Sequence, residues 1–61
     1  MTRMELAGLK EGNVLQYRGF DIFLTVKETV PLRGILIEVE GTEEEVFVDA
    51  EEAINELELY V

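Results

Sequence analysis

The segment Glu45-Val46-Phe47-Val48-Asp49-Ala50-Glu51-Glu52-Ala53-Ile54-Asn55-Glu56-Leu57 changes period at its middle, and that change decides the fold class. Glu45 to Val48 alternates, with Val46 and Val48 inward and Phe47 outward or against a neighbour, as a strand does. Asp49 then stands where a helix N-cap belongs, with Glu52 three positions on in a D-x-x-E arrangement. Ala50, Ala53, Ile54, Leu57 and Val61 follow the i, i+3, i+4, i+7 rule, and Glu51, Glu52, Asn55, Glu56 and Glu58 take the other side. The spacing predicts a helix over 50–60. A helix of about three turns is marginal alone, so it must lie on a sheet.

The sheet is read upstream. Val14 to Tyr17 is a short strand candidate, and Arg18-Gly19 reads as a tight hairpin connection. In Phe20 to Val26 the residues Phe20, Ile22, Leu24 and Val26 point one way, and Asp21, Phe23, Thr25 and Lys27 the other. Lys27 to Arg33 breaks the pattern, since Pro31 has no amide hydrogen and biases Val30 toward extended backbone. Gly34 to Glu40 is the next strand, and Gly41-Thr42-Glu43 turns the chain into the last one. Lys10-Glu11-Gly12-Asn13 is a turn. Residues 1–9 fit no single period and read as an arm, a short helical turn or an edge strand.

Strands first and a helix last predict one α+β domain over residues 1–61: a three- or four-stranded antiparallel sheet (14–48) covered on one face by a C-terminal helix. The alternative is a small SH3-like barrel, suggested by short strands around Gly12 and Gly19. The expected core is Leu15, Phe20, Ile22, Leu24, Ile35, Ile37, Val39, Val46, Val48, Ala53, Ile54 and Leu57.

Composition narrows the chemistry. A chain of 61 residues supports one core, contributing roughly 3–5 kcal/mol net. With no Cys and no His, neither disulfides nor a transition-metal site can supplement it, which leaves self-association. Ser, Cys and His are all absent, so the usual nucleophile–base pairs cannot be built, and no Gly-rich phosphate loop is present. No enzyme and no cofactor are expected. Glu43, Glu44 and Glu45 beside Asp49 lack the spacing of a calcium loop and read as a solvated turn, not a metal site. No apolar run approaches the ~20 residues of a membrane span, and there is no secretory leader pattern, so a cytoplasmic protein is expected.

Charge gives the functional lead. The net charge is −9, and it is unevenly placed. Residues 1–37 hold all five bases against four acids, whereas residues 38–61 hold ten acids and no base. Such a balance opposes direct nucleic-acid binding, which relies on neutralising phosphates with cations. Glu51 and Glu52 suit a helix N-terminus. Glu56 and Glu58 do not suit its C-terminus, and Glu52–Glu56 is a like-charge i, i+4 pair costing ~0.2–0.5 kcal/mol. An anionic face of Glu43, Glu44, Glu45, Glu51, Glu52, Glu56 and Glu58 is therefore expected to meet a basic partner protein. Carboxylates about 6 Å apart along a helix or a strand could stand in for backbone phosphates, which makes nucleic-acid imitation the narrower form of this reading. The competing expectation is a structural homo-oligomer joined through Phe23, Leu36, Phe47, Leu59 and Tyr60.

Tyr17-Arg18-Gly19-Phe20-Asp21-Ile22 and Phe47-Val48-Asp49-Ala50-Glu51-Glu52-Ala53-Ile54, taken together, resemble elements of small phage- and prophage-type β-β-β-α proteins. The resemblance covers residues 14–61. It implies a three-stranded antiparallel sheet with a terminal helix, and a non-enzymatic binding or regulatory protein, phage-encoded, is the functional expectation set beside it. The same order is similar to sheet-and-helix DNA-binding domains of plant transcription factors and integrase arms. This chain departs from those by lacking Arg, Lys and Trp on strands that would enter a groove.

Overall fold

Alternation along the chain builds a five-stranded antiparallel sheet in the computed structural model, which describes residues 1–60. The element order is α1 (Arg3–Ala7), β1 (Val14–Tyr17), β2 (Phe23–Val30), β3 (Gly34–Val39), β4 (Glu45–Asp49), α2 (Ala50–Glu56) and β5 (Leu57–Leu59). The spatial order of strands is β4-β3-β2-β1-β5. The α+β class holds, with more strands and one more helix than the sequence suggested. The outer strands β4 and β5 are not hydrogen-bonded to each other among the described residues, so the ladder does not close on itself.

The extra strand comes from the end of the expected helix. Helix α2 stops at Glu56, and Leu57 adopts extended backbone with φ −110° and ψ 152°. Leu57 and Leu59 then pair with Tyr17 and Leu15 along the free edge of β1. The stretch Glu56-Leu57-Glu58-Leu59 satisfies a period of 2 as well as one of 3.6, and the open edge supplies the hydrogen bonds that decide between them. The Arg18 N–H donates to the Glu56 carbonyl at 2.9 Å, and the Tyr60 N–H to that of Val14 at 3.0 Å. Helix 50–60 is thus corrected to a seven-residue helix followed by a strand. Val61, assigned to the same helical face, lies outside the described residues.

The amino end folds as a short helical turn. The Thr2 hydroxyl accepts from the Glu5 N–H at 3.1 Å, and the Glu5 carboxylate accepts from the Thr2 N–H at 2.8 Å. This reciprocal cap satisfies two donors that a helix start otherwise leaves open. The Met1 amino group reaches the far end of the chain and donates to the carbonyls of Ile54 (3.0 Å) and Leu57 (2.8 Å).

Two strand boundaries move. The β1–β2 connection spans residues 18–22, not two, because the Phe20 N–H turns back to the Tyr17 carbonyl before the ladder starts. Phe20 and Ile22, expected in the core, are 62% and 43% exposed in that loop. Strand β2 continues past Lys27 to Val30, with its register shifted between Val26 and Glu28. An added residue at a bulge leaves the ladder intact on both sides, and Pro31 lies beyond it in the turn.

The core sits between the sheet and the two helices. Leu9, Leu15, Leu24, Val26, Ile35, Ile37, Val48, Ala53 and Leu57 are buried, with Met1, Leu6, Tyr17, Val39 and Leu59 packed around them. Leu9 and Val26 join the expected set. Val39 and Ile54 are only half-buried. Val46 is 45% exposed because it lies on edge strand β4, toward the end away from α2.

Gly34 opens β3 at a point with no room for a side chain. It pairs with Asp49 and is buried. A Cβ there would overlap the Val48 carbonyl oxygen and lie 2.8 Å from Asp49 Cα and 2.9 Å from Phe47 Cζ. Since two of these neighbours are backbone atoms, neither can rotate away. Gly34→Ala is expected to cost about 1–3 kcal/mol, the range for overpacking a filled site. Chemical denaturation should show this as a lower midpoint with an unchanged slope.

Candidate interaction surfaces

The acidic residues divide into three groups. Asp49, Glu51, Glu52 and Glu56 line one shallow surface depression on α2 together with Asn55. Asp49 holds this group in place, its carboxylate accepting from the Glu52 N–H at 2.8 Å as the N-cap. Glu51 and Glu52 lie in the first turn, where the exposed N–H groups favour anions. No base lies in the last turn. The Met1 amino group takes that place, bonding carbonyls of the helix end.

Glu43, Glu44 and Glu45 form the second group. They are exposed at the opposite end of β4 from Asp49, and four residue steps of strand separate Glu45 from Asp49 by about 14 Å. Glu45 stands opposite Glu38, on the sheet face turned away from the core. Glu38 in turn meets Lys27 at 3.5 Å. The third group is Glu58 alone. It lies on β5 opposite Gln16 and is 3.6 Å from the Arg18 guanidinium. Of the seven glutamates proposed as one face, Glu51, Glu52 and Glu56 come together.

The apolar set shares one face but forms two pairs on it, Phe23 with Tyr60 and Leu36 with Phe47, with Thr25, Lys27 and Glu38 between them. Residues opposite one another across the strands share a face, and alternation places Val14, Phe23, Thr25, Leu36 and Phe47 on the face away from the helices. Tyr60 reaches the same face. Its ring meets that of Phe23 edge-on, with centroids 4.8 Å apart and planes at 75°. Leu36 sits directly opposite Phe47. Phe47 and Tyr60 are 51% and 54% exposed. Leu59 is the exception, since it pairs with Leu15 and packs against the core.

Among the described residues, no three acids converge closely enough to hold a metal ion. No helix is long and apolar enough to cross a membrane. Comparison with protein-family models, curated proteins and solved structures finds no match to this chain.

The Phe23–Tyr60 contact ties the last described residue to the open face. Edge-to-face pairs contribute ~0.5–1.5 kcal/mol beyond burial, and a half-exposed pair belongs at the lower end. A double-mutant cycle with Phe23→Ala and Tyr60→Ala should give a coupling of about 0.5 kcal/mol. Zero coupling would show that the rings do not hold the C-terminal strand.

Proposed function

We propose that this protein is a non-enzymatic interaction module that offers the α2 surface to a basic partner protein. The observation that carries this reading is the grouping of Asp49, Glu51, Glu52 and Glu56 around one depression. No Lys or Arg forms an ion pair with them among the described residues, while Arg18 and Lys27 are engaged by Glu58 and Glu38. Three carboxylates on α2 and that of its N-cap Asp49 form a local field that speeds encounter with a cationic surface and rejects anionic ones. Binding of this kind weakens with salt. Imitation of a nucleic-acid strand is the narrower form, resting on the ~6 Å rise between Glu52 and Glu56. A regulatory, phage-encoded and cytoplasmic setting accompanies this reading.

Glu56→Lys separates function from folding. It relieves the like-charge pair with Glu52, while the Met1 ammonium already bonds the helix end, so stability should change by no more than about 0.5 kcal/mol. Capture of cationic proteins from a cell extract at low salt should fall sharply. Combining it with Glu51→Gln and Glu52→Gln should abolish capture. Salt-sensitive capture that survives all three substitutions would overturn this assignment.

Self-association through the open face is the second reading, favoured by two pairs that share that face, Phe23 with Tyr60 and Leu36 with Phe47. Light scattering at micromolar concentration should then report an oligomer that Phe47→Lys dissociates. A monomer before substitution would remove it.

A further inference from the structure

A second concavity, of about 400 Å³, lies between α1 and the β2–β3 turn, away from the open face. Leu6, Val30, Leu32 and Ile35 give it an apolar lining, and Arg3 and Arg33 line it as well. Two of the five bases of a chain with net charge −9 thus border one apolar cleft. Neither forms an ion pair among the described residues, although fourteen acids are available in the chain.

The turn beside the cleft carries an independent anomaly. The Arg33 N–H donates to the Val30 carbonyl at 3.0 Å, so Pro31 and Leu32 are the central residues of a four-residue turn. Leu32 has φ 66°, at a position where Gly or Asn is the ordinary occupant. Its side chain is fully exposed. A branched apolar residue therefore accepts an unfavourable backbone conformation and full contact with water at the lip of a greasy cleft. Outliers of this type gather at ligand-binding positions.

From these observations we infer that the cleft binds a medium-chain aliphatic carboxylate, with the tail against Leu6, Val30 and Ile35, Leu32 folding over it, and the head group on Arg3 and Arg33. Guanidinium groups pair with carboxylates through parallel N–H···O bonds, which supplies the charge complementarity. Volume bounds the occupant: about 400 Å³, at ~30 Å³ per water-sized group, accommodates about a dozen heavy atoms, the size of an acid of roughly ten carbons. A membrane surface is disfavoured by the net charge and by the single apolar side chain at the turn tip. Asp49 and Glu51 flank the lining residue Ala50, so the head group is placed at Arg3 and Arg33, and the more distant acids are screened at physiological salt, where fields decay over ~8 Å.

The test uses the full chain labelled with ¹⁵N and follows amide shifts on titration with sodium decanoate, decan-1-ol and sodium acetate. Decanoate should move the amide resonances of residues 3–7, 29, 30, 32–35 and 50, saturating below about 1 mM. Acetate and decanol should bind at least tenfold more weakly. Arg3→Gln/Arg33→Gln should weaken decanoate at least tenfold while circular dichroism and the melting curve stay unchanged. Should the double variant unfold, the single variants and the ligand series decide the matter. Leu32→Asn, which suits the turn, should raise the melting temperature and still weaken binding. Equal binding of decanol would overturn the inference, as would shifts confined to Phe23 and Tyr60. Tighter association with phosphatidylglycerol vesicles than with free decanoate would also overturn it.

Discussion

Leu57 is the residue on which the two ends of the chain converge. It is fully buried, ends α2, and begins the strand that covers the edge of β1. Its carbonyl accepts the Met1 amino group. One side chain therefore fills the core, and its backbone stops a helix and starts a strand. Had the helix run on, the β1 edge would have stayed open, and α1 would have lost its anchor on the end of α2. In so small a domain few other contacts could take over that task.

The period of the sequence was legible wherever burial is one-sided. Alternation places Leu24, Ile35, Ile37 and Val48 in the core, where they are buried, and the D-x-x-E spacing places Asp49 as the cap of α2, where it stands. Three features escaped. Phe20 and Ile22 continue the alternation of Leu24 and Val26, so period alone cannot show where hydrogen bonding begins. Leu57 and Leu59 fit two periods, and only the vacant edge of β1 chooses. The cap of α1 is written in Thr2 and Glu5, but Gly8 and the mixed spacing of Met4, Leu6 and Leu9 concealed it. The interaction surfaces were legible as residue types and not as a layout. Charge counting finds acids, yet whether they adjoin depends on strand order and chain reversal, which separate Glu45 from Asp49.

The placement of cations sets this surface apart from a uniformly acidic one. Arg18 and Lys27 each meet a glutamate at the solvent-facing side of the sheet, where such pairs contribute ~0–1 kcal/mol. Their effect is chiefly to mute charge around the aromatic face. The helix α2 surface keeps its full negative charge. The outer face of the sheet is thereby mixed and aromatic, whereas the exposed surface of α2 is anionic.

The pairing of β5 with β1 also fixes an order of events. Strands β1 to β4 join neighbours across short connections and can assemble as the chain collapses. The last ladder joins Leu15 to Leu59, close to opposite ends of the polypeptide. Entropy delays contacts between such distant positions until the intervening meander has drawn them near. The ladder between β5 and β1 thus carries the largest loop-closure cost of the sheet, a cost the intervening meander lowers by drawing the two strands near.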